Sequence, residues 1–530
     1  MSLSSASFLL FLVSTVVIYY VVPKRIQWVV LLVSSYIYYL SYGYKIVGFL
    51  LTTTLTTYLG GLLLGNLNAR KKVQFQQFGK EVTSEEKKSI ADKYTKNKKL
   101  VAAFILLINF GILAAIKYYN FTAENINVLL HFFSAASLPK MNWLLPVGLS
   151  FYIFQSTGYV IDVYRAKYEP ERNFFKFALF VSFFPQIIQG PISRFDQLAH
   201  QLYKAHAFSF DRLKYGIQLM MWGFFKKLVV ADRTAVIVNN VFGNYQRYSG
   251  SEIAFGVFMY CIQIYCDFSG GIDIIRGVAQ ILGIDMIENF QRPYFATSLS
   301  DFWRRWHISL GAWMRDYLFY PLSLSKPFGK LGKYARKKFK GNLGKILPVS
   351  LVTFIVFFTI GIWHGASWKY IAFGIWNGGI ITFSVINAQN YEKILRKLHI
   401  NSESLYWKLF QILRTTALVF IGRYFTRGDN LMTALRMMKR TIFHSDLRAL
   451  PGKVFSLGLS PYDLSIVLVC GLIILGAGFM KERGIHIRKT LEQKNLLIQW
   501  IVLLAGLMAI VFLGIYREGY IASEFIYKQY

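Results

Sequence analysis

Two histidines carry the clearest chemistry in this sequence. His307 closes the cluster Asp301-Phe302-Trp303-Arg304-Arg305-Trp306-His307. His364 sits in Gly361-Ile362-Trp363-His364-Gly365-Ala366-Ser367-Trp368, between two long apolar runs. An ionisable side chain at membrane depth is costly to keep, which makes it a candidate site residue. Imidazole titrates near neutrality and can take a proton from a hydroxyl, so the chemistry on offer is general-base catalysis. Gly361 and Gly365 flank His364, and glycine permits a helix break or a close backbone approach. At membrane depth such a break survives only where it is buried in protein or lines a wet cavity. From the residues alone, a hydrogen-bonded core histidine at 364 is also open, and His307, following two arginines, reads as well as a headgroup-facing residue.

Acids supply the other candidate chemistry. Asp267, Asp273, Asp285 and Glu288 fall in the mostly apolar stretch Ile262 to Asn289, and Asp162 and Arg165 close another apolar run. Proton relay and ion pairing with Arg276, Arg304 or Arg305 are the two readings, and pairing is the commoner fate of such acids. The sequence has no phosphate-binding loop, no Gly-x-Ser-x-Gly elbow and no His-Glu-x-x-His. ATP-driven transport, covalent serine catalysis and metal hydrolysis therefore lack support.

The elements that hold these residues are apolar. Of 530 residues, 54% are hydrophobic, 17% aromatic and only 16% charged. A soluble domain carries about a quarter charged residues, so the deficit points to an all-α polytopic membrane protein, one integral membrane domain over 1–530. The net charge of +33 would suit nucleic acid, but the basic residues cluster between apolar runs, as in cytoplasmic loops of membrane proteins. No nucleic-acid readout motif is present. Cys261, Cys266 and Cys470 make no CxxC pair or Cys/His cluster, so they read as buried small hydrophobes and not as a metal site.

Apolar runs fall near 6–22, 27–43, 46–65, 100–118, 144–161, 174–190, 214–230, 252–267, 347–362, 367–387, 407–422, 463–480 and 497–515. A crossing takes about 20 residues, so these predict roughly eleven to thirteen membrane segments. The first run lacks a basic n-region and a small-residue cleavage site, and is expected to stay as a helix. Asn68 to Lys99 carries ten Lys/Arg against four acids, Ser325 to Lys345 carries eight and no acid, and Lys481 to Lys494 is also basic. All three are expected in the cytoplasm, which places the N-terminus and the segment from Arg517 outside. Five runs separate the first two basic segments, an odd number, so at least one should not span. Phe208 to Phe224 and Asp301 to Tyr320 mix Trp or Phe with Arg and Leu, as interfacial helices do.

Four blocks together resemble the membrane-bound O-acyltransferase family, and within it the alginate O-acetyltransferase group of bacteria. They are Leu145 to Tyr152 with Ile161 to Arg165; Phe183-Phe184-Pro185-Gln186 with Gln189 to Arg194; Cys266-Asp267-Phe268-Ser269-Gly270 through Asn289-Phe290 and Pro293-Tyr294 to Tyr320; and Gly361 to Trp368 with Gly374 to Gly378. The resemblance is strongest over about 140–430. It implies a ring of tilted transmembrane and re-entrant helices around a central funnel, with His364 at the catalytic histidine and His307 at a second polar position near it. On that reading His307 orients the donor or stabilises the developing oxyanion; substrate contacts are expected from Trp306, Trp363 and Asn377 and from Arg304 and Arg305, which would attract donor phosphates or, equally, lipid phosphate. At position 377 relatives often have histidine, and this departure puts a role for Asn377 in doubt. The same blocks resemble the D-alanyl transferase of teichoic acids, whose members are usually shorter.

The resemblance implies acetyl transfer from a cytoplasmic thioester donor, acetyl-CoA or an acyl carrier protein, to an extracytoplasmic polysaccharide. No cofactor or metal is expected to be bound. An extracytoplasmic esterase-like partner is expected to complete the transfer, and the cell membrane is the expected location. D-alanyl transfer to teichoic acid is the alternative within this class. A polysaccharide or lipid transporter is the alternative from another, although paired interrupted helices in matching halves are missing.

Overall fold

The computed structural model describes residues 1–77, 83–134, 136–339, 341–515 and 525. Every named element among them is helical, apart from one isolated antiparallel bridge between Phe290 and Trp306. In a bilayer the backbone must satisfy its own hydrogen bonds, and a helix does so within one segment.

Among the described residues seven helices are long and apolar enough to cross a membrane: Tyr44–Gln77, Ser84–Phe132, Gly250–Ile281, Leu343–His364, Trp368–Ile386, Pro461–Glu482 and Leu496–Leu513. Thirteen apolar runs thus reduce to seven spans by length and composition. For several runs the difference lies in where helices stop. Gln27–Leu40 has 14 residues, Leu149–Tyr164 has 16 and Phe174–Ser182 has nine. The last stops at Phe183, before Pro185, and the following turn through Gly190 is buried. Of the five runs between the first two basic segments, two give helices that end short of a span, Leu149–Tyr164 and Phe174–Ser182, where at least one was expected. Phe210–Phe224, a predicted interfacial segment, has 15 residues before the helix widens.

The chain divides into two compact units. The first comprises Met1–Ile217 with Ile275–Ile287. In it the buried Thr54 and Thr57 return their hydroxyls to the carbonyls of Leu50 and Thr53 (2.7 and 2.6 Å), so polar side chains enter the helix interface without an unmet bond. Asp162 pairs with Lys167 at 3.6 Å, and Asp285 with Arg212 at 3.2 Å.

The second unit, Gln218–Ile274 with Glu288–Tyr530, holds both histidines. Near its start the helix widens into a π-helical turn, Phe225–Ala231, whose residues are all buried. That turn carries Lys226 and Lys227 inward. Lys227 sits 2.6 Å from Asp267 and 2.9 Å from Asp232, and Lys226 sits 2.8 Å from Asp273. The expected pairing of the acids holds for these, but the cations are lysines instead of the arginines expected. Cys266 and Cys470 pack in the apolar cluster around the same turn, and all three cysteines are free and buried. Only 6% of the apolar window of Leu496–Leu513 is buried, with Leu504, Leu507 and Phe512 exposed, as suits a lipid-facing helix. The segment from Arg517, expected outside the membrane, falls outside the described residues except for Phe525.

Candidate active site

His364 is the last residue of the helix Leu343–His364. Beyond it Gly365 is extended, and the chain turns through Ser367 before Trp368–Ile386 begins. The break and the close approach that the flanking glycines allow both occur. A Cβ on Gly361 would lie 2.5 Å from the Tyr370 carbonyl oxygen and 2.8 Å from Gly374 Cα; one on Gly365 would lie 2.5 Å from the Tyr370 ring. The two helices therefore meet backbone to backbone one turn before His364.

Around its imidazole, which is 7% exposed, stand Phe373, Tyr370 and Trp363, with ring centroids at 5.7, 6.3 and 5.0 Å. His364 also lines a small pocket, a cavity of about 10 Å³, together with Trp303, Trp306, Phe373, Arg423, Ile264 and Thr426. Trp303 is held in that wall by Asn377. The indole Nε1–H donates to Asn377 Oδ1 at 3.0 Å, and Asn377 Nδ2 donates to the Phe373 carbonyl at 2.8 Å. Asn377 thus acts behind the wall, on a residue that forms it.

His307 connects the helices Leu299–Arg305 and Ile308–Met314 in a left-handed conformation (φ 49°, ψ 53°). Such a conformation is uncommon for a non-glycine residue, and the surroundings must hold it. Asn289 does much of that holding. Its carbonyl accepts from Ile308 N–H at 3.1 Å and its Oδ1 from Ser309 N–H at 2.9 Å. Its Nδ2 lies 3.3 Å from His307 Nδ1. Because the Ser309 amide must donate, Oδ1 is fixed as the acceptor and Nδ2 as the donor. His307 Nδ1 then accepts, which puts the proton of the neutral ring on Nε2. Burial pushes this imidazole well below its ordinary value, to about 3, so it is uncharged at neutral pH.

The two histidines share Trp363 as a neighbour, its ring centroid 6.0 Å from that of His307 and 5.0 Å from that of His364. Among the described residues the pocket wall includes His364 and Trp306 but neither His307 nor Trp363. Arg304 is exposed. Arg305 is held by Asp301 and Glu482, each at 3.1 Å, and neither arginine lines the pocket.

Sequence reasoning passed over two residues. Asn289 stood inside a quoted block without a role. Arg423, 3% exposed, falls in none of the quoted blocks. Its guanidinium carbon lies 4.7 Å over the Trp306 ring, and only the packing of Leu405–Arg427 brings it to the pocket.

The geometry is thus a buried imidazole at a helix break, in the wall of a small aromatic pocket, within a set of helices apolar enough to span a membrane. Residues 170–414 match the membrane-bound O-acyltransferase family, and this chain belongs to that family. It is a multi-pass membrane protein and an O-acyltransferase. A probable alginate O-acetylase of Pseudomonas putida is 32% identical over 82% of this chain and 79% of its own length. A peptidoglycan O-acetyltransferase of Helicobacter pylori is 30% identical over 64% of each chain. A teichoic acid D-alanyltransferase of Bacillus subtilis is 27% identical over 46% of this chain and 60% of its own length.

Proposed function

We propose that this chain transfers an acetyl group from a cytoplasmic thioester, acetyl-CoA or an acyl carrier protein, for O-acetylation of an extracytoplasmic polysaccharide, with His364 as general base. The observation that carries this reading is the place of His364, on a broken helix end and in the wall of a small aromatic pocket. The likeness to O-acetylating relatives over most of the chain supports acetyl as the group. The likeness to a D-alanyltransferase over less than half of it makes D-alanyl transfer the second reading. The chain lies in the plasma membrane with its N-terminus outside and its three basic segments in the cytoplasm. An esterase-like partner outside the membrane receives the acetyl group or passes it on.

In the reaction a hydroxyl of the acceptor approaches the thioester carbonyl. The His364 imidazole takes the hydroxyl proton as the oxygen bonds to the carbonyl carbon, a role worth about 10²–10⁴-fold in rate. The tetrahedral intermediate collapses, the carbon–sulfur bond breaks, and the leaving thiolate recovers the proton from the imidazolium. His307, neutral and fixed by Asn289, supports His364 through Trp363, which touches both rings.

The test is His364→Ala in membrane vesicles of a deletion strain, supplied with radiolabelled acetyl-CoA and the strain's cytosol. Loss of label from surface polysaccharide at unchanged protein level is expected. Wild-type transfer by the variant sinks the assignment. Label that needs D-alanine instead of acetyl moves the protein to the second reading, and polysaccharide movement without any donor would make it a transporter.

A further inference from the structure

We infer that Arg423 is a catalytic residue of this reaction, the donor that stabilises the oxyanion formed when the acceptor hydroxyl attacks the thioester carbonyl. The inference rests on the acyl-transfer reading above and adds to it the group that answers the developing negative charge. His364 can move a proton, but a base does nothing for the carbonyl oxygen, which carries a full charge in the intermediate.

Arg423 is in position to do so. It lies on Leu405–Arg427, is 3% exposed, and lines the same pocket as His364. Among the described residues that line the pocket it is the only arginine, lysine or carboxylate. Its guanidinium carbon is 4.7 Å over the ring of Trp306, itself a wall residue. That cation–π contact holds the guanidinium against the indole. Tyr294 and Cys261 also interact with it. A cation kept this far from water is expensive. In a buried site, a preorganised donor is worth most where charge appears only in the transition state.

The atoms balance as follows. The hydroxyl oxygen bonds to the carbonyl carbon and its proton passes to His364. The carbonyl electron pair moves onto oxygen, which accepts a hydrogen bond from an Arg423 N–H. The pair returns as the carbon–sulfur bond breaks, and the thiolate takes the proton from His364. Arg423 keeps its own protons throughout, since guanidinium does not titrate in this range.

Arg423→Met and Arg423→Lys in the full chain, assayed in the same vesicles, test the assignment. Trifluoroacetonyl-CoA, whose hydrated ketone mimics the tetrahedral oxyanion, serves as competing probe. For Arg423→Met, kcat is expected to fall about 10²–10³-fold with KM for acetyl-CoA nearly unchanged, and the preference for the probe over acetyl-CoA should fall in parallel. Lysine keeps the charge without the planar fork and should recover only part of both. If the methionine variant fails to accumulate, the lysine variant decides by the same two readouts. A wild-type kcat, or a lower kcat with the probe's relative affinity intact, overturns the inference. Should His364→Ala abolish transfer while Arg423→Met leaves it whole, only this inference falls. If His364→Ala retains full activity, the underlying reading falls instead.

Discussion

The crossing of Leu343–His364 with Trp368–Ile386 is the most direct handle on how His364 is positioned, and Gly361→Ala perturbs it with a single methyl group. A Cβ there would meet the Tyr370 carbonyl oxygen at 2.5 Å, where ordinary contact begins at 3.4 Å. One helix must therefore shift by about 0.9 Å at that point, or tilt to the same effect. Overpacking of this kind costs about 1–3 kcal/mol, partly offset by the better helix propensity of alanine, about 1 kcal/mol. The rate should suffer more than the stability. His364 is three residues further along the displaced helix, and a misplacement of about 1 Å can cost about 100-fold. Gly379→Ala is the control, because it gains the same propensity and meets nothing within 4 Å. The measurements are acetyl transfer in vesicles and the thermal unfolding midpoint of the purified chain in detergent. Gly361→Ala should lose about two orders of magnitude in kcat while Gly379→Ala stays at wild-type rate. Equal behaviour of the two variants in both assays would refute the argument that close backbone contact sets the position of the base.

Asn289→Leu should destabilise the fold by about 2–6 kcal/mol, since it strips partners from two buried groups, Ser309 N–H and His307 Nδ1, at about 1–3 kcal/mol each; an unchanged unfolding midpoint would contradict it. Asn289→Asp keeps the acceptor for Ser309 but turns the donor facing His307 into a carboxylate, which should raise the pKa of His307 from about 3. In the native protein the unfolded state binds a proton at His307 below about 6.5 and the folded state does not, so this residue makes stability fall as the pH drops from 6.5 toward 3. The aspartate variant should lose less stability between pH 7.5 and pH 5 than the wild type, and parallel losses would count against the tautomer and burial argued here. Asn377→Ala frees the Trp303 indole from its 3.0 Å bond, so the pocket wall should loosen. Measured as competition between acetyl-CoA and butyryl-CoA, transfer should shift toward the longer chain with little change in unfolding midpoint; an unaltered ratio removes the positioning role.

What could be read from the chain alone follows the range of the interaction. The cost of a polar group in an apolar run is local, so both histidines were visible, and the glycines beside His364 foretold the break and the contact. Pairing of Asp267 and Asp273 followed from the same cost. Their partners did not, because Lys226 and Lys227 stand about 40 residues away at the end of an unremarkable apolar run, and a π-helical turn carries both inward. Helix ends were misplaced where an apolar run continues through a non-helical turn, as from Phe183 to Gly190. Arg423 was out of reach for another reason. Near the end of its helix it looks like any basic residue near an interface, and only the packing of four other segments around it makes a pocket wall.

The second unit buries cations in two different ways, and the difference separates support from chemistry. Lys227 holds carboxylates at 2.6 and 2.9 Å. Close pairs in a low-dielectric interior neutralise each other's field, and breaking one by removing a partner typically costs about 3–5 kcal/mol. Such a cluster is suited to fixing the π-helical turn against Gly250–Ile281, and a substrate would have little charge there to use. Arg423 is laid instead on an aromatic face beside the base, in the wall of the pocket. On the reading proposed above, its N–H groups answer the anion that exists only during the reaction. His307 is neutral and lies outside that wall, so on the same reading it supports the base, and the electrostatic work falls to an arginine 59 residues beyond His364.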